Sequence, residues 1–205
     1  MRVYFVFIMK KGTDTEILFK ELKEITLFNI EKTQKKFFHL SEDQKKWKPT
    51  PESWNLLEIF AHLNEYARFY HEVFKNKISK TKFKDPKPTF VSSPLGRSAW
   101  KSMRLGRANN IRRKFKAPKN YNPSINPELV LGNDVKEFVN YQEHLLGILD
   151  DAKQVNLKKV KVPISISRIV RLRLGDALMF VVYHNQRHMQ QALNTLSHPN
   201  FPKKK

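Results

Sequence analysis

Apolar residues recur at three- and four-residue intervals in four separate stretches of this chain, a period that calls for a bundle of amphipathic helices. From Thr15 onward, Ile17, Leu18, Leu22, Ile25, Phe28, Phe37 and Phe38 follow it and predict a first helix to about Leu40. The second helix is marked by its start. Asn55 and Glu58 stand at capping-box spacing, the amide side chain accepting a first-turn N–H and the carboxylate reaching back. A helix is therefore expected from Leu56 to Lys77, with Ile59, Leu63, Tyr66, Phe69 or Tyr70, and Val73 on its buried seam. Pro127 and Glu128 suit the first turn of a third helix, which Val135, Phe138, Val139, Tyr141, Leu145, Leu146 and Leu149 carry to about Lys153. A fourth is predicted from Leu172 to Leu196 through Leu174, Leu178, Val181, Val182, Met189 and Leu193.

The connections differ in character. Residues 41–53 hold the helix breakers Pro49 and Pro51 between Trp47 and Trp54. Residues 79–127 carry Pro86, Pro88, Pro94, Pro118, Pro123 and Pro127, with Asp85 as their one acid. Arg97, Lys101, Arg104, Arg107, Arg112, Arg113, Lys114, Lys116 and Lys119 gather there around Trp100 and Phe115. This segment reads as a long basic crossover between helices two and three, of a length that lets the two run parallel. Residues 154–171 form another linker, whose VKVPISI favours a short extended piece; Pro163 argues against a central strand. The expected fold class is all-α, a four-helix bundle in a single domain over 1–205, with an extra tail at 1–12 and a basic tail at 198–205.

Composition narrows the chemistry. The chain has no cysteine, which removes thiolate metal sites, disulfides and cysteine nucleophiles and leaves nitrogen and oxygen as metal ligands. Thirty-nine Lys and Arg against nineteen Asp and Glu give a formal charge of +20 over 205 residues, a surface that attracts anionic partners. The opening MRVYFVFIM is short for a signal peptide and lacks a small-residue cleavage site, and no stretch approaches the roughly 20 apolar residues of a membrane span. The expectation is a cytoplasmic protein without a membrane partner. No G-x-S-x-G, H-E-x-x-H or G-K-[ST] pattern is present, so serine-hydrolase, zincin and P-loop readings lose support.

Helix four contains His184-Asn185-Gln186-Arg187-His188, and imidazoles four apart on a helix share one face, one turn apart. A third nitrogen is available on His62, beside the apolar seam of helix two, where an unpartnered imidazole is costly. Three nitrogen ligands suit one divalent ion, Zn, Ni, Fe or Mn, and ordinary capped or surface histidines are the competing reading. Glu58, one turn before His62, is a candidate base, although its capping role is the simpler explanation. Tyr66 and Gln191 edge the same region and are candidate substrate contacts. His39 and His198 fall at helix ends, and His71 and His144 have no partner at ligand spacing.

Two segments carry a family resemblance. Trp54-Asn55-Leu56-Leu57-Glu58-Ile59-Phe60-Ala61-His62-Leu63 resembles the tryptophan-led helix of the DinB/YfiT-like superfamily, and Arg171 through Leu178, leading into His184-Asn185-Gln186-Arg187-His188 and Gln191-Ala192, resembles its last helix. The resemblance implies a four-helix bundle, often dimeric, with one metal held by His62, His184 and His188. The implied chemistry is that of a metal-dependent hydrolase or a thiol S-transferase acting on a small-molecule substrate. Where the family often has a glutamate after the first histidine of the last motif, this chain has Asn185. The alternative reading is a non-catalytic basic bundle that binds nucleic acid or another anionic partner through residues 97–119 and the lysine tail, with Trp100 and Phe115 available to stack on bases. A homodimer is a further expectation, from exposed aromatics.

Overall fold

The computed structural model describes residues 12–111, 113 and 115–203, without the side chain of Arg168. Residues 1–11 of the expected N-terminal tail, Arg112 and Lys114 of the basic cluster, and the last two lysines of the tail lie outside the described residues. The elements in chain order are β1 (Thr13–Asp14), α1 (Thr15–Phe37), α2 (Glu42–Lys46), α3 (Leu56–Lys80), β2 (Thr89–Phe90), α4 (Pro94–Met103), α5 (Asp134–Ala152), β3 (Lys161–Ile164), β4 (Ser167–Arg173) and α6 (Leu174–Leu196). Single 3-10 turns occupy Lys119–Tyr121 and Pro127–Leu129. The fold is mostly helical. Two small antiparallel sheets, β1 with β2 and β3 with β4, modify the all-α expectation. Among the described residues no helix is long and apolar enough to cross a membrane.

The long helices α1, α3, α5 and α6 make the bundle: α1 and α3 each pack against both α5 and α6. Each begins where local chemistry satisfies free N–H groups or breaks a preceding helix. Asp14 accepts from the Ile17 amide at 3.0 Å to start α1. At α3 the Asn55 side chain accepts from the Glu58 amide at 2.9 Å and Glu58 accepts from the Asn55 amide at 2.8 Å, the reciprocal box expected there. The third long helix starts later than Pro127. Gly132 takes a φ of +85°, which no right-handed helix contains, and the Asp134 carboxylate then gathers the Leu131 and Gly132 amides at 3.0 and 2.9 Å.

Residues 79–127 hold more order than their prolines and charges suggest. Ser93 caps α4 by accepting from the Gly96 amide at 3.0 Å, and Pro94 occupies its first turn. The Asp176 carboxylate on α6 receives both the Ser93 amide and hydroxyl, which ties the start of α4 to the bundle. An added Cβ at Gly96 would lie 2.1 Å from that carboxylate, so only glycine lets α4 approach so closely. Trp100 is therefore a core residue, 2% exposed, its indole N–H donated to Ser92 at 3.1 Å. It is not available for base stacking, contrary to the expectation for a nucleic-acid-binding surface. The VKVPISI stretch becomes the first strand of a hairpin, in which Val162 opposes Leu172 and Pro163 opposes Arg171. A two-stranded sheet has only edge strands, which is why proline is tolerated.

The core has two apolar clusters with a polar level between them. One joins Leu18, Leu22, Tyr70, Phe74, Leu145, Leu149, Leu178 and Val182; the other joins Phe37, Leu56, Phe60, Phe138, Met189 and Ala192. Between these levels α1 buries Thr26, Asn29 and Thr33, α5 buries Gln142, and α6 buries His184 and Asn185. The two threonines satisfy their hydroxyls on carbonyls one turn back, Thr26 on Leu22 at 2.8 Å and Thr33 on Asn29 at 2.7 Å. The buried face of α1 thus runs Leu18, Leu22, Thr26, Asn29, Thr33, Phe37. Ile17 and Phe28, expected on the seam, point outward.

Candidate metal centre

His62 is carried by the second turn of α3, and His184 and His188 by consecutive turns of α6, helices that pack on one another. The pairing brings one ring nitrogen from each histidine to within 4.8 Å of the others. The closest pair, Nε2 of His62 and Nε2 of His184, stands at 3.2 Å. A tetrahedral ion about 2.0–2.1 Å from each nitrogen needs nitrogens about 3.3 Å apart. One pair already has that spacing, and the third nitrogen lies within 4.8 Å of both. Among the described residues no carboxylate joins this cluster.

The protonation pattern fits metal binding. His62 donates Nδ1–H to the Tyr121 carbonyl at 2.5 Å, and His188, with Gln191 oriented oxygen-inward, donates Nδ1–H to its side-chain carbonyl at 2.9 Å. A carbonyl oxygen accepts only, so in both rings the proton sits on Nδ1 and Nε2 keeps its lone pair, that of His62 facing Nε2 of His184. Nδ1 of His184 is buried without a partner. Burial keeps all three rings uncharged. It pushes His62 from 6.5 to about 4, against the opposing bond to Tyr121. His184 and His188 are driven well below the ordinary histidine value, first by burial and then by neighbouring imidazoles and the Arg187 charge.

Aromatic rings wall the cluster. Tyr66 lies 5.0 Å from His62 and 4.4 Å from His184 between ring centres, Trp54 lies 4.9 Å from His62, and Phe180 stacks on His184 at 5.8 Å. The connection between α4 and α5 supplies the cover. Its 3-10 turn presents the Tyr121 carbonyl to His62 and the Tyr121 ring to Tyr66 at 4.5 Å, and Ser124 accepts the Trp54 indole N–H at 2.9 Å. Arg187, between the two histidines of α6, donates to the Arg113 carbonyl and lies 5.2 Å over the Phe115 ring.

The residues singled out in the sequence fall as follows. His62, His184 and His188 come together. Tyr66 is buried against two of these rings, with burial raising its phenol pKa. Gln191 touches His188. Glu58 faces the helix start, with one carboxylate oxygen on the Asn55 amide and the other on Lys48 Nζ at 2.8 Å. Tyr121, Trp54 and Arg187 were not foreseen in these positions. Trp54 and Arg187 stand inside the recognisable segments, but Tyr121 acts through its backbone, which leaves no mark in a sequence. No curated protein and no solved structure matches the chain. The family model of the DinB superfamily matches residues 29–192, a span that includes all three histidines and both polar neighbours, and the chain belongs to that superfamily.

Proposed function

We propose that this protein is a metal-dependent enzyme in which Nε2 of His62, His184 and His188 hold one divalent ion, Zn, Ni, Fe or Mn, and that it acts as a hydrolase or a thiol S-transferase. The observation that carries the reading is the convergence of three uncharged imidazoles, two with their Nδ1 protons fixed on carbonyl oxygens. Structural zinc sites close with four protein ligands, whereas three leave a coordination position for a reactant. When bound, the ion supplies Lewis acidity that lowers the pKa of water or of a low-molecular-weight thiol.

The chain's own residues divide the remaining work. The Tyr121 carbonyl and Gln191 hold two ligand rings in orientation and keep their protons on Nδ1. Trp54, Tyr66 and the turn over Tyr121 exclude bulk water, which strengthens electrostatic interactions inside. Tyr66 is the proposed wall against which a substrate lies. Glu58, occupied by Asn55 and Lys48, anchors α3, and Asn185 donates to Gln142 at 3.4 Å within the polar level. The non-catalytic nucleic-acid reading retains exposed Phe115 but not Trp100 as a stacking group.

The test is a panel of ester, amide and thiol-transfer reactions run on the purified protein with and without a chelator. Turnover that disappears on chelation, returns with one of the four metals and is absent from His62→Ala is the expected result. Turnover that survives both chelation and His62→Ala would sink the reading.

A further inference from the structure

The site holds an uncompensated positive charge. Arg187 is 6% exposed, and among the described residues it forms no ion pair with any carboxylate. Its contacts are a neutral carbonyl, that of Arg113, and the face of Phe115. The groups beside it on α6 are neutral as well: two imidazoles, Asn185 and Gln191. Glu58, one turn before His62 on α3, is paired with Lys48. A divalent ion on the three histidines would add positive charge to this surrounding. Burying a cation without a counter-charge is expensive, and natural proteins keep such groups where a ligand supplies the partner.

The surface over the site has the same sign. Arg113, Lys116 and Lys119 are exposed and form no ion pairs with carboxylates among the described residues, so they raise the local concentration of anions. Resting on the metal-site reading, we propose that the substrate is a small organic anion bearing a carboxylate, phosphate or sulfonate. Arg187 pairs with that group through its planar guanidinium, while the reacting part of the molecule lies against Tyr66 at the three histidines. Arg187 is thus a substrate-binding and specificity-determining residue. Its fork of donors matches two oxygens of an oxyanion at once, which an ammonium group cannot do.

The test uses the full chain loaded with Co²⁺, whose visible absorption reports ligand entry at the site. Inorganic phosphate is the anionic probe and imidazole the neutral one, compared in wild type, Arg187→Met, Arg187→Lys and the exposed control Arg107→Met. Arg187→Lys keeps the charge and guards against loss of the fold in Arg187→Met. The expected result is phosphate binding that weakens about tenfold in Arg187→Met and by a smaller factor in Arg187→Lys, with imidazole binding and Co²⁺ stoichiometry unchanged. Equal phosphate affinity in wild type and both Arg187 variants would overturn the proposal, as would a parallel loss of imidazole binding or a wild type that ignores phosphate. A wild type that takes up neither Co²⁺ nor any of Zn, Ni, Fe and Mn overturns the metal-site reading itself, whereas uptake with indifferent phosphate binding overturns only the anion.

Discussion

A histidine can bind a metal only through a ring nitrogen that carries no proton, and in this chain two carbonyl oxygens of different origin hold the protons of His62 and His188 on Nδ1. One belongs to a side chain, Gln191, three residues along the same helix from His188, where helical spacing exposes it to a reader of the sequence. The other is the backbone of Tyr121, fifty-nine residues from His62, and any residue at that position offers the same atom. Hence the clustering of His62, His184 and His188 and the place of Gln191 were legible, from the i, i+4 spacing and the family resemblance, and the second support was not. Gln191→Leu removes the acceptor for His188 and leaves an apolar side chain of similar size. Metal affinity is expected to fall about 10- to 100-fold with helicity unchanged, read by competition with a chromophoric chelator. An unchanged affinity would mean that Gln191 does not orient the ring.

At the scale of elements, the four long helices were legible because each keeps one buried stripe, and α3 was placed to the residue at its start by the reciprocal Asn55 and Glu58 bonds. Where the reading of the sequence failed, a specific competing term won. The seam of α1 passes through Thr26, Asn29 and Thr33, so an apolar count follows the wrong face for three turns and picks up exposed Phe28. Helix α4 hides in a basic stretch because only Gly96 and Trp100 are buried in it. Its position depends on Gly96 lying against Asp176. Gly96→Ala puts a methyl where the carboxylate sits, so α4 must withdraw from α6 or Asp176 must surrender Ser93. A loss of about 1–3 kcal/mol is expected in denaturant unfolding, although alanine is the better helix former. Stabilisation by this substitution would show that α4 does not depend on the close approach.

At the scale of the whole molecule, the three-histidine cluster adjoins a polar level that crosses the bundle between two apolar clusters, with Asn29 and Thr33 on α1, Gln142 on α5, and Asn185 and His184 on α6. The helices supply His62 from α3 and His184 and His188 from α6, and the crossover closes over them with the Tyr121 turn and the Phe115 region. The long basic connection is in this respect part of the site as well as a link between helices. Its proline and charge content was visible in the sequence, but not its contact with the histidines, because that contact uses backbone atoms and one buried arginine. The central claim is that the three imidazoles hold a metal ion, and the most direct measurement is elemental analysis of protein purified without an affinity tag or added metal. Wild type is to be compared with His184→Ala/His188→Ala, with circular dichroism as the check on folding. About one divalent ion per chain in wild type and none in a folded double variant is the predicted result. Stoichiometric metal retained by the variant, or a wild type that refuses added Zn, Ni, Fe and Mn, would contradict the account.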